Sequence, residues 1–242
     1  IRANASGTSA AVNMFGANSI VTNLAGGTIS GGRAVVFNSA ASNATLNNSG
    51  TITGITGTQG VLFFNNGTVT NTATGSITGG VGIYFNGTTA SSVLNDGIIR
   101  GISSSGILAV NGTANVINNG SVYGALNLNG VDLRKGGTVT NSATGLIQAI
   151  DSLDAWGVLG YYAATITNAG TINGGAGIAI GLGTTSVTNS GTINGLREGI
   201  LVIDGSTANI TNTGTIYGAS QGIKSLTGTV NLVNQGTVRA GN

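Results

Sequence analysis

One stretch of this chain gathers side chains that could do chemistry. In QAIDSLDAWGVLGYYAA, residues 148–164, Asp151 and Asp154 stand close together and are followed by Trp156, Tyr161 and Tyr162. Paired carboxylates beside aromatic rings suit a sugar, since the acids accept hydroxyl hydrogens and the ring faces stack on a pyranose. The plainer reading is a solvated loop bulging from one corner of the fold, with its aromatics packed on the chain beneath. Little else here reacts. The remaining acids, Asp96, Asp132, Glu198 and Asp204, are scattered, and Arg134 and Lys135 read as ordinary loop charges.

Without His or Cys, neither a Ser-His-Asp nor a Cys-His arrangement can be assembled, and thiolate metal sites are excluded. The Gly-Gly-x-Gly-x-Asp run of calcium-binding rolls does not occur. The expectation is a protein that is not an enzyme, with no catalytic residue, cofactor or metal ligand to name.

Composition narrows the class. Of 242 residues, 6% are charged and 40% hydrophobic, and Gly alone contributes 44. An ordinary globular domain carries about a quarter charged residues. Such low charge with abundant Gly resembles a flexible tract, but a positive mean hydropathy argues for a buried core. A net charge of +2 is too small for a nucleic-acid surface. No apolar run reaches the length of a membrane span, and the opening IRANASG is not a signal peptide.

What positions the aromatic stretch is a repeat. The phrases ITNAGTING, VTNSGTING and ITNTGTIYG, beginning at Ile166, Val187 and Ile210, are three statements of one pattern. Its Asn recurs as Asn23, Asn48, Asn71, Asn95, Asn118, Asn141, Asn168, Asn189, Asn212 and Asn234, about every 23 residues, which is the period of a stacked solenoid. An aliphatic residue lies two before each anchor, as Val69 or Ile166, and another follows between glycines, as Ile52 or Ile193. A third apolar segment completes each unit, among them AVVF (34–37), GVLFF (60–64) and GILVI (199–203).

Each unit therefore holds three short strands separated by Gly and Asn corners. One such unit buries too little to fold alone, whereas stacking at about 4.8 Å builds parallel sheets with like residues in ladders. Asn suits a bend, because it tolerates left-handed backbone and its amide can bond the next coil's amide. The absence of Pro fits a chain paired almost everywhere. The pattern predicts an all-β parallel β-helix, triangular in section, with three strands per coil, about ten coils and a length of about 50 Å.

The phrases NSGTITG (48–54), ITNAGTINGGAGIAI (166–180) and VTNSGTINGLREGILV (187–202) resemble the passenger-domain repeats of Gram-negative autotransporters, the type V secreted proteins. The resemblance covers nearly the whole chain and rests on core and corner positions. It implies a right-handed β-helix exposed on the cell surface and exported through a C-terminal outer-membrane β-barrel, which this sequence does not contain. It also implies adhesion or self-association, with protease or esterase domains in a minority of such passengers. The start IRAN matches the end VRAGN, so residues 1–242 are expected to form one β-helix cut from a longer passenger.

Two outward surfaces can be read from the alternation. Thr pairs such as Thr51/Thr53 and Thr138/Thr140 form a ladder of the kind that orders ice, but it breaks at Ile98/Arg100, Ser121/Tyr123 and Leu146/Gln148. On the third strand, inward Val35 and Phe37 would leave Val36, Leu62, Tyr84, Leu108, Leu159 and Leu201 pointing outward. Such an apolar stripe marks an interaction surface or a face covered by more of the protein. The expected partners are a second copy of the chain, or a host or matrix protein or glycan. An inert stalk is the competing role, and a carbohydrate-active enzyme trails both.

Overall fold

A computed structural model describes residues 1–2, 7, 9–149 and 153–241; Asp151, half of the acidic pair, lies outside them. The chain is a parallel β-solenoid of about 10 turns repeating about 23 residues apart, with no helix among the described residues. A representative coil has strands Gly67–Asn71, Ser76–Gly79 and Val81–Phe85, called here the Asn, Gly and apolar strands. Each pairs in parallel with its counterpart one coil on: Val69 opposes Val93, Ile77 opposes Ile99 and Ile83 opposes Ile107.

The three strand types make two sheets rather than three. Ten Asn strands form one, and the Gly and apolar strands join into an 18-stranded sheet. In two coils these strands fuse, as Thr171–Ile180 and Thr192–Val202, with a bulge between Gly174 and Ala176. Glycine makes the corner possible. A methyl on Gly195 would overlap the backbone oxygen of Glu198, and one on Gly79 would overlap the nitrogen of Gly60.

In each turn the Asn and Gly strands contribute a core residue and the apolar strand mostly two, as with Val69, Ile77, Ile83 and Phe85, all buried. Fully burying such a side chain stabilises by about 1.5–3 kcal/mol, and no coil achieves this without its neighbours. Within the early coils Phe37, Phe63 and Phe85 stack in register, their centroids 4.5 and 5.1 Å apart. The same ladder position then passes to Ala109 and Leu133.

The anchor Asn row is a second, polar core. Asn71 Nδ2 donates to Asn95 Oδ1 at 2.8 Å, Asn95 to Asn118 at 2.8 Å, and the chain of amides runs from Asn23 to Asn234. Each amide also donates to backbone oxygens at the corner, as Asn118 does to Gly120 and Leu146. The expected amide ladder is present, but the expected left-handed bend is not. Positive φ among non-glycine residues falls on Asn18, Asn43, Asn127, Tyr162 and Asp204, all outside the row. The anchors close their strands in extended backbone and are held by burial. Gly145 lies so close to the amide oxygen of Asn141 that any side chain there would displace it.

Candidate binding cleft

Departures from the repeat converge on one cleft of about 310 Å³, lined by residues including Asp132, Arg134, Asp154, Trp156, Leu159 and Tyr161. Three aromatic-stretch positions singled out in the sequence, Asp154, Trp156 and Tyr161, are therefore brought together. Tyr162 is not part of the lining. Its backbone is left-handed (φ 65), its ring meets Tyr161 edge-on at 5.5 Å, and Lys135 Nζ sits 4.8 Å from its centre.

Strand pairing explains how the cleft is held. Trp156 opens the apolar strand Trp156–Gly160 and is half-buried. Its backbone nitrogen donates to Asn129 Oδ1 at 3.0 Å, and Asn129 Nδ2 donates to Asp132 Oδ2 at 3.2 Å. Asn129 thus ties the ring's strand to the carboxylate of the preceding coil.

Asp132 is the unusual member. It stands in the ladder between Leu108 and Leu159, where its neighbours are apolar, and is 3% exposed. Arg134 Nε and Nη2 both approach its Oδ2 at 3.4 Å, while its Oδ1 is buried with no hydrogen-bond partner. Burial pushes the Asp132 carboxyl above its ordinary value, against the opposing pull of the Arg134 charge and the Asn129 hydrogen bond. Tyr161, also in the lining, is likewise pushed up, by desolvation first and by the Asp204 carboxylate second.

The charges are less scattered than the sequence suggests. Asp154 meets Arg197 Nη1 at 3.4 Å, Arg197 Nε meets Glu198 at 3.4 Å, and Lys224 Nζ reaches the same Glu198 at 3.2 Å. Glu198 is 2% exposed, so this chain of ion pairs crosses from the cleft rim into the sheet surface. Arg134, read as a loop charge, is the partner of a buried acid. Asp132 was legible only in register: a charged residue at a position that is leucine one coil to either side.

The outward apolar stripe is corrected. Val36, Leu62, Leu108, Leu159 and Leu201 do lie opposite the core-facing residues of their strands, but their exposures are 4%, 2%, 8%, 7% and 7%. Tyr84 is half-buried and donates to Asn86. Each stripe residue is flanked by its ladder partners, as Leu62 is by Val36 and Tyr84. Leu159 is further enclosed among Trp156 and Tyr161 in the cleft wall. These side chains form a second packed row, not an exposed patch, and Asp132 interrupts it.

The cleft offers two aromatic surfaces and the partly exposed Arg134 guanidinium, above a carboxylate whose Oδ1 is sealed from solvent. Such an arrangement can stack a ring and donate hydrogen bonds to its hydroxyls. Among the described residues no group of three or more His, Cys, Asp or Glu is placed to hold a metal ion. Comparison with protein-family models, curated proteins and solved structures gives no match to this chain, so the site is read from its own chemistry.

Proposed function

We propose that this chain is a β-helical segment of a bacterial surface protein, of the autotransporter-passenger kind its repeats resemble, acting in adhesion by binding at the Asp132–Trp156–Tyr161 cleft. The observation that carries this reading is the unpartnered carboxylate oxygen of Asp132. Burying a charge is costly unless it is fully paired, and the adjacent coils place leucine at the same position without that cost. Departures from a locally consistent sequence concentrate at functional sites. Trp156 and Tyr161 supply contact area for a ligand, and the Arg134 guanidinium beside Asp132 supplies donors. Host or matrix glycans and proteins, or a second copy of the chain, are the partners in scope.

The amide row and single core running through all the coils favour a second reading, a rigid stalk that presents some other domain. Immobilised matrix proteins, glycans and bacterial cells exposed to the purified 242-residue protein separate the two. Adhesion predicts saturable binding to at least one surface, weakened in Trp156→Ala and Tyr161→Ala. A monomer that binds none of them would leave the stalk.

A further inference from the structure

On the Gly strand, the outward residue just before the corner glycine or alanine changes character along the rod. The early coils present Ser30, Thr53 and Thr78 there. The later coils present, in unbroken register, Arg100, Tyr123, Gln148, Asn173, Asn194, Tyr217 and Arg239. This row is where the Thr ladder fails in the sequence. In the structure its last five members line a groove of about 460 Å³.

The row is nearly symmetric in its chemistry. Arg100 lies 4.3 Å from the centre of the Tyr123 ring and Arg239 lies 4.8 Å from that of Tyr217. Coil order puts each arginine on the side of its tyrosine away from the amides, so the other ring face is turned toward them. Between the tyrosines stand three planar amides. Asn194 Nδ2 donates to Asn173 Oδ1 at 3.1 Å, and the Asn173 amide hydrogens and the Asn194 amide oxygen have no partner among the described residues. The groove lining includes Gly174 and Gly195, where neighbouring backbone excludes any side chain, and exposed Leu196.

A surface of neutral donors and acceptors bounded by aromatic faces matches a neutral polyhydroxylated chain better than an anion. Both arginines are already engaged with tyrosine faces, and no lysine lines the groove. The groove runs from coil to coil, so a ligand lying in it advances about 4.8 Å per ladder position, close to the rise of one hexose in an extended glycan. We propose that this groove binds an extended neutral oligosaccharide along the rod axis, with its hydroxyls on Gln148, Asn173 and Asn194 and a sugar ring on Tyr217. The residues are distinct from those of the Asp132 cleft, so the two proposals stand or fall separately.

Calorimetric titration of the full chain with cellohexaose and chitohexaose, and with a heparin hexasaccharide as the charged control, tests this. The expected result is saturable binding of at least one neutral hexasaccharide that survives added salt. Tyr217→Ala should weaken it about tenfold or more, as should Asn194→Thr, which restores the residue type of the early coils. Trp156→Ala should leave this binding unchanged, with all variants matching the parent in circular dichroism and Tm. If Tyr217→Ala is unstable, Asn194→Thr carries the test alone. Three results would overturn the groove: no neutral oligosaccharide binds, only heparin binds and salt abolishes it, or binding is lost in Trp156→Ala but kept in Asn194→Thr. The last would leave the adhesion reading intact and move the sugar to the other cleft.

Discussion

Two buried polar residues, one repeated and one unique, set opposite energetic terms. Asn118 both accepts from Asn95 and donates to Asn141, each at 2.8 Å, with no solvent exposure. Replacing it with Ala takes the shortest of three acceptors from the Asn95 amide, leaves the Asn141 amide oxygen without its donor and removes the bonds to Gly120 and Leu146. Asn118→Ala is therefore expected to destabilise by on the order of 3 kcal/mol in chemical denaturation, and a change under 1 kcal/mol would show that the row is decorative. Asp132 has the reverse sign. Because burial holds its carboxyl above the ordinary value, the folded state takes up this proton more readily than the unfolded chain. Its contribution to stability rises as pH falls through the folded pKa and is complete below the unfolded one. Asp132→Leu, matching Leu108 and Leu159, should stabilise by about 1–4 kcal/mol at neutral pH. That gain should shrink on acidification, and a Tm below the parent's at pH 7 would contradict it.

At the scale of strands, alternation and period made most of the architecture readable, because core positions such as Ile52 and Ile193 sit between glycines in nearly every unit. The amide row was readable for the same reason. Two things were not. Alternation identifies the side opposite the core but not what closes over it, so Val36 and Leu62 looked exposed when their ladder neighbours and the adjoining side chains bury them. The cleft was half legible: Trp156 and Tyr161 stand together in sequence, whereas Asp132 and Asn129 reach them only through the register between coils. Burial changes the expected effect of an acid in the stripe. With Leu62 at 2% exposure, Leu62→Asp should lower Tm sharply instead of merely altering association. An unchanged melting curve would restore the stripe as a free surface. In the phenylalanine stack, Phe63→Ala is expected to cost about 3–5 kcal/mol, since it opens a cavity between two rings that cannot close.

Viewed whole, the protein is a rod whose coils contact mainly their neighbours, so stability is a sum of interfaces between coils. The end coils have one neighbour each: Ile1, Leu232 and Val233 are exposed at 72%, 42% and 62%, while Val116, Ile147 and Ile166 are sealed. Amide hydrogen exchange should be slowest in the central coils and accelerate toward both ends; uniform protection would indicate a single cooperative block. On this rod the repeat supplies rigidity and the breaks in it supply recognition. The chain's one tryptophan makes that claim directly measurable, because Trp156 lines the cleft. The decisive measurement is a fluorescence titration with whichever glycan or matrix protein the surfaces reveal as a ligand. If adhesion runs through this cleft, ligand shifts or quenches the Trp156 emission to saturation, and Asp132→Leu folds but abolishes the change. Binding seen by calorimetry that draws no response from Trp156 and survives Asn194→Thr would place recognition outside both the cleft and the groove and contradict the account.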